Sequence, residues 1–326
     1  MKKKFSFISL PINVSLLVLF NLSFVSNGYA QTSADSHQSK PLINLASEVK
    51  PETTVKKVAD KVSEKAMSSD GHGNKETHKK PHKKTHWSYQ GDERPAYWGD
   101  LADEYATCKT GKNQSPINLN HRGSVGTTGL SGFDVFYRDT TLKIQNNGHS
   151  VQVNYSNGSY ILINQQRYDL LQFHFHTPSE HQLNGVNYPM EMHLVHKNAQ
   201  GDLAVIGILF QEGQTNHTLQ RIISHAPKQK GKEKLYSNVK INPNLLFPME
   251  KKFYKYSGSL TTPPCSQGVY WMVFKQPIEA SALQLRKMLQ IMGENNRPVQ
   301  KHFARSILKS WQDGTDTSNT GMYEFY

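Results

Sequence analysis

Residues 172–196 read QFHFHTPSEHQLNGVNYPMEMHLVH, and the two ends of this stretch decide what the chain folds into. On an extended strand, side chains alternate between faces. His174 and His176 therefore point the same way with Gln172 beside them, while Phe173 and Phe175 face the opposite, apolar side. The run MEMHLVH repeats the logic: Glu191, His193 and Val195 share one face, Met192, Leu194 and His196 the other. Neighbouring strands of this kind aim three imidazoles at one point, with a carboxylate and an amide close behind. Three histidines with a fourth position left for water is the ligand set of a catalytic zinc site. His196 faces away from His193 by strand parity and His181 adjoins Glu180, so both are expected to be structural, hydrogen-bonding histidines. His121, His217, His225 and His302 have no motif around them.

Outward from this stretch the same period of two recurs. DVFY, LKIQ, VQVNY, YILINQ, LQFHFH, MHLVH and LAVIGILF follow one another from residue 134 to 210, separated by the turn signals NNG, SNG, NAQGD and EGQTN. That spacing predicts a large, mainly antiparallel sheet. Helical pattern is confined to SALQLRKMLQIM (281–292) and HFARSILKSW (302–311), and no internal repeat is visible. The fold class is α/β mixed and sheet-dominated, in a single domain over residues 87–326.

The N-terminal part reads differently. Lys2, Lys3 and Lys4 precede a mostly apolar run, and Gly28 and Ala30 supply the small residues of a cleavage site, so residues 1–30 are expected to be a signal peptide. An uncleaved membrane anchor is the competing reading, weakened by Pro11, Asn13 and Asn21 inside the apolar run. The protein is expected to be periplasmic or secreted. Residues 31–86 are rich in Lys, Ser, Glu and His with no sustained apolar period, the composition of a disordered spacer. Eleven lysines and seven acids give that spacer +4, the leader lysines give +3, and only +5 of the total +12 falls on the remaining 240 residues. The pI of 9.4 and mean hydropathy of −0.63 thus owe much to the spacer, and a nucleic-acid partner is not expected. Electrostatic contact of the spacer with an anionic cell envelope is expected instead. Its last residues, GHGNKETHKKPHKKTH (71–86), also suit weak metal capture, although Pro81 breaks the helix that would align the histidines. The dense run KQKGKEK (228–234) reads as a solvated loop.

Cys108 and Cys265 are the only two cysteines. An exported chain favours one disulfide between them, two buried thiols being the alternative. The bond would pin the loop after SLTTPP against the N-terminal segment.

HFH, SEH, EMHLVH, NNGH, QSPINL and SLTTPP followed by WMVF occur together here, and the set resembles the α-class carbonic anhydrases of the bacterial, exported kind. The resemblance spans the whole region from Trp87 to about Tyr326. It implies a central, twisted, roughly ten-stranded sheet with peripheral helices and cis peptides at Ser115–Pro116 and Pro263–Pro264. It implies reversible hydration of CO2 to bicarbonate and a proton, with zinc on His174, His176 and His193 lowering the pKa of a bound water to about 7, an effect for which this family is itself the standard example. The resemblance further implies that the resulting hydroxide would attack CO2. Gln172 and Glu191 are implied to orient His174 and His193, and Thr261 with Glu180 to orient the nucleophile. Thr262 is implied to contact substrate, and Val195, Val205, Leu260 and Trp271 to line an apolar CO2 pocket. His149 matches the family's proton shuttle, with Tyr89, Asn147 and Gln152 holding a water chain, Gln152 being an Asn in some relatives. Two other readings stand beside this one. A catalytically silent binding module of the same fold usually lacks a ligand histidine, and a periplasmic zinc buffer would be led by the histidine tract.

Overall fold

The computed structural model describes residues 86–127, 129–130 and 132–313. The expected signal peptide and, except for His86, the expected spacer lie outside the described residues. The sheet forms where the alternation predicts it. Ten strands make one continuous path: β1 (Val125–Gly126), β2 (Thr140–Asn146), β3 (Val151–Asn154), β4 (Gln166–His176), β5 (Met190–Lys197), β6 (Leu203–Glu212), β7 (Lys234–Ile241), β8 (Phe253–Ser259), β9 (Gln267–Phe274) and β10 (Leu308–Lys309). Their order across the sheet is β7-β2-β3-β4-β5-β6-β9-β8-β10-β1. Phe133–Phe136, Tyr160–Ile163 and Ile278–Ala280 pair beside this path and bring the sheet to 13 strands. Pairing is antiparallel except between β6 and β9, β6 and Ile278–Ala280, and β10 and β1.

The two faces of β4 to β6 carry different jobs. Phe173 and Phe175, Met190, Met192 and Leu194, and Ile206, Ile208 and Phe210 are buried on one face, together with Leu219 and Ile222 of helix α1 (His217–His225) and Leu285 and Met288 of helix α2 (Ala282–Met292). Each such side chain contributes about 1.5–3 kcal/mol. A one-residue slip of β4 would exchange its phenylalanines for its histidines, so the apolar face locks the register that aims the imidazoles. The opposite face carries a second apolar cluster, Val195, Val205, Tyr254, Tyr256 and Trp271 among its members, beside the histidines.

Two expectations about helices need correcting. HFARSILKSW is not helical: Leu308–Lys309 pairs with β8, and the buried Lys309 ammonium binds the His121 carbonyl and both Asp313 oxygens. Strand pairing and a buried cation override the local periodicity there. Helix α1 was not foreseen, because EGQTN read as a turn. Its signal was Asn216, whose side chain accepts the Leu219 N–H as an N-cap. Helix α2 forms as expected, closed by a Ser281/Gln284 capping box.

Cys108 and Cys265 are disulfide-bonded across 157 positions, for which chain-entropy bookkeeping gives on the order of 5 kcal/mol. The bond sits in a wider clasp. Gln114 Nε2 donates to the Cys265 carbonyl, and the Ser115 N–H donates to Ser259 Oγ. Ser115–Pro116 and Pro263–Pro264 are cis as expected, and Thr177–Pro178 is cis as well. At Gly258 a Cβ would strike the Ser115 hydroxyl and the Trp271 ring, so only glycine lets this clasp close.

Candidate active site

His174 of β4 lies directly opposite His193 of β5, and Glu191 lies opposite His176. The three rings meet with centroids 5.0, 5.4 and 4.6 Å apart. One nitrogen of each ring is engaged from behind. His174 Nδ1 bonds Gln172 Oε1 at 2.9 Å, His176 Nδ1 bonds the Asn295 carbonyl at 2.7 Å, and His193 Nε2 bonds Glu191 Oε1 at 2.8 Å. Since each partner is an acceptor, each of those nitrogens carries the hydrogen, and the opposite nitrogen presents a lone pair. One ligand atom from each ring lies within 4.8 Å of the others. His176 Nε2 is buried and has no hydrogen-bond partner. An orphaned lone pair in a closed set of three imidazoles fits a metal ion.

The electrostatics agree. Burial, reinforced by the neighbouring histidines, holds His174 well below the ordinary imidazole range, and burial also lowers His176, so both rings are neutral as ligands must be. Burial pulls His193 down too, but the Glu191 carboxylate outweighs it and raises the ring. A metal at His193 therefore competes with a proton. Glu191 is buried and fully employed: Oε1 accepts from His193 and His181, and Oε2 accepts the backbone N–H groups of Glu180 and His181.

Glu180 is buried against the same centre. Its Oε1 accepts the Arg297 N–H at 2.8 Å, and Oε2 lies 3.5 Å from His176 Nε2 and 3.8 Å from His193 Nδ1. Oε2 has no hydrogen-bond partner, so the bond expected from Thr261 is not made in this structure. Thr261 is buried in the loop ahead of the cis Pro263–Pro264 peptide. Arg297 is itself buried, with a guanidinium that donates to Gln114 Oε1 and to the carbonyls of Ser115 and Cys108. Burial lowers its pKa to about 10.

A cavity of about 140 Å³ leads to the centre, lined by His174, His176, Gln172 and Thr262 and, further out, by Tyr89, Asn147, Gln152, His149 and Trp87. Asn147 Nδ2 donates to Gln152 Oε1, and Gln152 lies opposite His174 in the strand register. Tyr89 OH is buried without a partner, and burial raises its pKa well above the ordinary phenol value. The ring of His149 is stacked under Trp87 with centroids 3.8 Å apart. Val195, Val205 and Trp271 form one apolar cluster with Leu260 packed against it, and the Trp271 ring stands 4.8 Å from that of His193.

Of the residues expected from the sequence, Gln172, His174, His176, Thr262, Tyr89, Asn147, Gln152 and His149 line this cavity, His193, Glu191 and Glu180 lie against the histidine centre, and Val195, Val205, Leu260 and Trp271 fall in the apolar cluster. Asn295 and Arg297 were missed. Asn295 orients His176 through its carbonyl and donates Nδ2 to the carbonyls of His149 and Phe175. Both residues act from ENNRPVQ, a stretch without periodicity, partly through backbone atoms that leave no mark on residue type. His196 is scaffold, bonded to Tyr137 OH and the Ala204 carbonyl, and burial lowers its pKa to about 4. His181 bridges Glu191 and Tyr256 OH and so steadies a ligand's partner. His121, His217, His225 and His302 do not line the cavity.

Fold and site together define a mixed sheet with a histidine centre at its middle that could hold a metal ion. The model of the eukaryotic-type carbonic anhydrase family matches residues 93–311. The chain is 43% identical over 228 residues to a carbonic anhydrase of Nostoc sp., covering 69% of this chain and 86% of that protein. It is 40% identical over 246 residues to the carbonic anhydrase of Neisseria gonorrhoeae, covering 75% and 92%. The α-carbonic anhydrase of Thermovibrio ammonificans, solved with the inhibitor sulfanilamide, superposes with a TM-score of 0.67 at 43% identity, covering 69% of this chain and 99% of that one. The chain belongs to the α carbonic anhydrase family, and its reaction is the hydration of CO2.

Proposed function

We propose that the chain hydrates CO2 with one zinc ion held by His174, His176 and His193, and that His149 carries the proton away. The convergence of three ring nitrogens, each fixed in its tautomer from behind, carries this reading. When bound, zinc supplies a charge that brings the pKa of a water near it to about 7, for which carbonic anhydrase is the standard case. The chain's own residues do the remaining work. Gln172, Glu191 and the Asn295 carbonyl hold the imidazoles in place. Glu180, anchored by the Arg297 N–H, keeps Oε2 free of other hydrogen bonds, and the Thr261 hydroxyl is the group proposed to donate to it during turnover. A threonine that donates there has only lone pairs left to turn toward the centre, so it selects and aligns a group with a hydrogen to give. Val195, Val205, Leu260 and Trp271 form an apolar wall suited to CO2, which carries no hydrogen-bond donor, and Thr262 contacts substrate or bicarbonate.

Turnover releases a proton, and His149 is the acceptor. Tyr89, Asn147 and Gln152 line the path between it and the centre. Burial, then the charges of Lys230 and His86, hold His149 below the ordinary imidazole value, so its accepting form dominates at neutral pH. That form is lost as pH falls through the lowered value, and kcat in dilute buffer declines with it. His149→Ala is expected to slow kcat in dilute buffer by about tenfold or more, with metal content intact and rescue by added imidazole. An unchanged rate in dilute buffer removes His149 from the mechanism. The signal peptide read in residues 1–30 puts this activity in the periplasm or outside the cell, where the cationic spacer meets an anionic envelope.

A further inference from the structure

We propose that the folded domain docks on anionic membrane surfaces through one face, formed by the lysine loop 228–234 and the groove between helices α1 and α2, and that it does so without the spacer. The loop is exposed throughout, yet it is clamped to the last residue of β2. Asn146 Nδ2 donates to the Pro227 carbonyl, and the Asn146 carbonyl accepts the Gly231 N–H. The loop curls around a shallow cavity of about 550 Å³ lined by Lys228, Lys230, Lys232 and Lys234. Its one acid, Glu233, is engaged by the side-chain amide of Asn154. Among the described residues the lysine ion pairs fall at Lys109, Lys252 and Lys309, and none reaches these four ammoniums.

The loop opens onto an apolar groove. Ile223 of α1 and Ala226 just beyond it share a cavity of about 460 Å³ with Ile291 of α2, and Lys228 and Lys287 line it as well. Lys228 belongs to both cavities, so basic loop and apolar groove form one surface. Along α2, Leu283 precedes Lys287 by four residues and Ile291 by eight, which puts this 55% exposed leucine on the stripe that borders the groove. Neither helix carries an acid. Lysines that reach for phosphates beside apolar groups that enter the acyl boundary make an interfacial surface. A soluble polyanion would match the lysines but leave the groove and Leu283 without a role. The mouth of the active-site cavity adjoins this face: a Cβ on Gly148 would lie 2.6 Å from Lys230 Cδ, and the next residue, His149, lines that cavity. Docking therefore holds the cavity beside a bilayer, which uncharged CO2 crosses easily and the bicarbonate ion does not.

The test is co-sedimentation of the full chain with vesicles of phosphatidylcholine alone and of phosphatidylcholine with roughly 30% phosphatidylglycerol. The chain is expected to bind only the anionic vesicles. The triple variant Lys228→Gln/Lys232→Gln/Lys287→Gln removes three charges near the lipid, each adding about fivefold, and lowers the partition coefficient about a hundredfold. Leu283→Ser lowers it about fivefold without changing its salt dependence, the signature of an apolar group rather than a charge. Circular dichroism and CO2 hydration of both variants match wild type, which separates docking from folding. On the vesicle-bound chain, amide exchange slows in residues 223–234 and 283–291. Binding that survives both sets of substitutions, with slowed exchange confined to residues 31–86, assigns the contact to the spacer and overturns the proposal. A loss in the lysine variant with Leu283→Ser equal to wild type marks a site for polyanions in general, and overturns it too. So does a wild-type chain that leaves the anionic vesicles unbound.

Discussion

His174→Ala is expected to give a folded protein that no longer retains metal through gel filtration and whose CO2 hydration falls by at least about three orders of magnitude. Of the three ligands, His174 is the one to replace. It is partly exposed, and among the described residues its ring is hydrogen-bonded through Nδ1 to Gln172 Oε1. His176 and His193, in contrast, are both fully buried against Glu180, so their loss would strand a charge as well as a ligand. Alanine at 174 removes one of three donors and leaves the apolar side of β4, Phe173 and Phe175, untouched. Metal analysis and circular dichroism on the same sample separate metal loss from unfolding. Full metal retention with activity near wild type would remove His174 from the ligand set.

Glu191→Gln is expected to strike both stability and the metal. The carboxylate accepts four hydrogen bonds with no exposure to water. A glutamine keeps one acceptor oxygen for the rings of His181 and His193, but turns an NH2 group toward the N–H groups of Glu180 and His181. Donor then faces donor. Two orphaned buried N–H groups cost about 1–3 kcal/mol each, which for a domain of this size lowers the melting temperature by roughly 10 °C. His193 also loses the anion that sets its tautomer, and zinc affinity drops about 10- to 100-fold. Thermal melts of the metal-free protein and a competition titration with a chromophoric chelator read the two effects separately. An unchanged melt together with unchanged affinity would mean that Glu191 does not orient His193.

How much of this was legible in the residues follows from what each pattern encodes. Alternation encodes faces, so FHFH and MEMHLVH announced both the sheet and the convergence of three imidazoles, and β4 and β5 pair as that reading requires. The expected partners of His174 and His193 also lie where the alternation puts them, two residues before each ligand on the same face. Helix α1 stayed hidden because a single cap residue, Asn216, competes with the turn signals around it. HFARSILKSW misled because a helical period says nothing about an edge strand that needs a partner. Asn295 and Arg297 were invisible for a deeper reason. Their decisive atoms include a backbone carbonyl and a backbone N–H, and only the folded chain brings residue 295 to His176 and residue 297 to Glu180. The Trp87–His149 stack is likewise a tertiary contact, between residues 62 positions apart.

The central claim is that CO2 hydration depends on one zinc at His174, His176 and His193. Stopped-flow hydration measured on one preparation before chelation, after removal of metal and after readdition of zinc tests it most directly. The account predicts activity at one zinc per chain, a rate at the buffer blank in the metal-free but folded protein, and recovery in proportion to zinc added up to one equivalent. Hydration that persists in the folded, metal-free chain, or that fails to appear in the folded, zinc-loaded one, would contradict it.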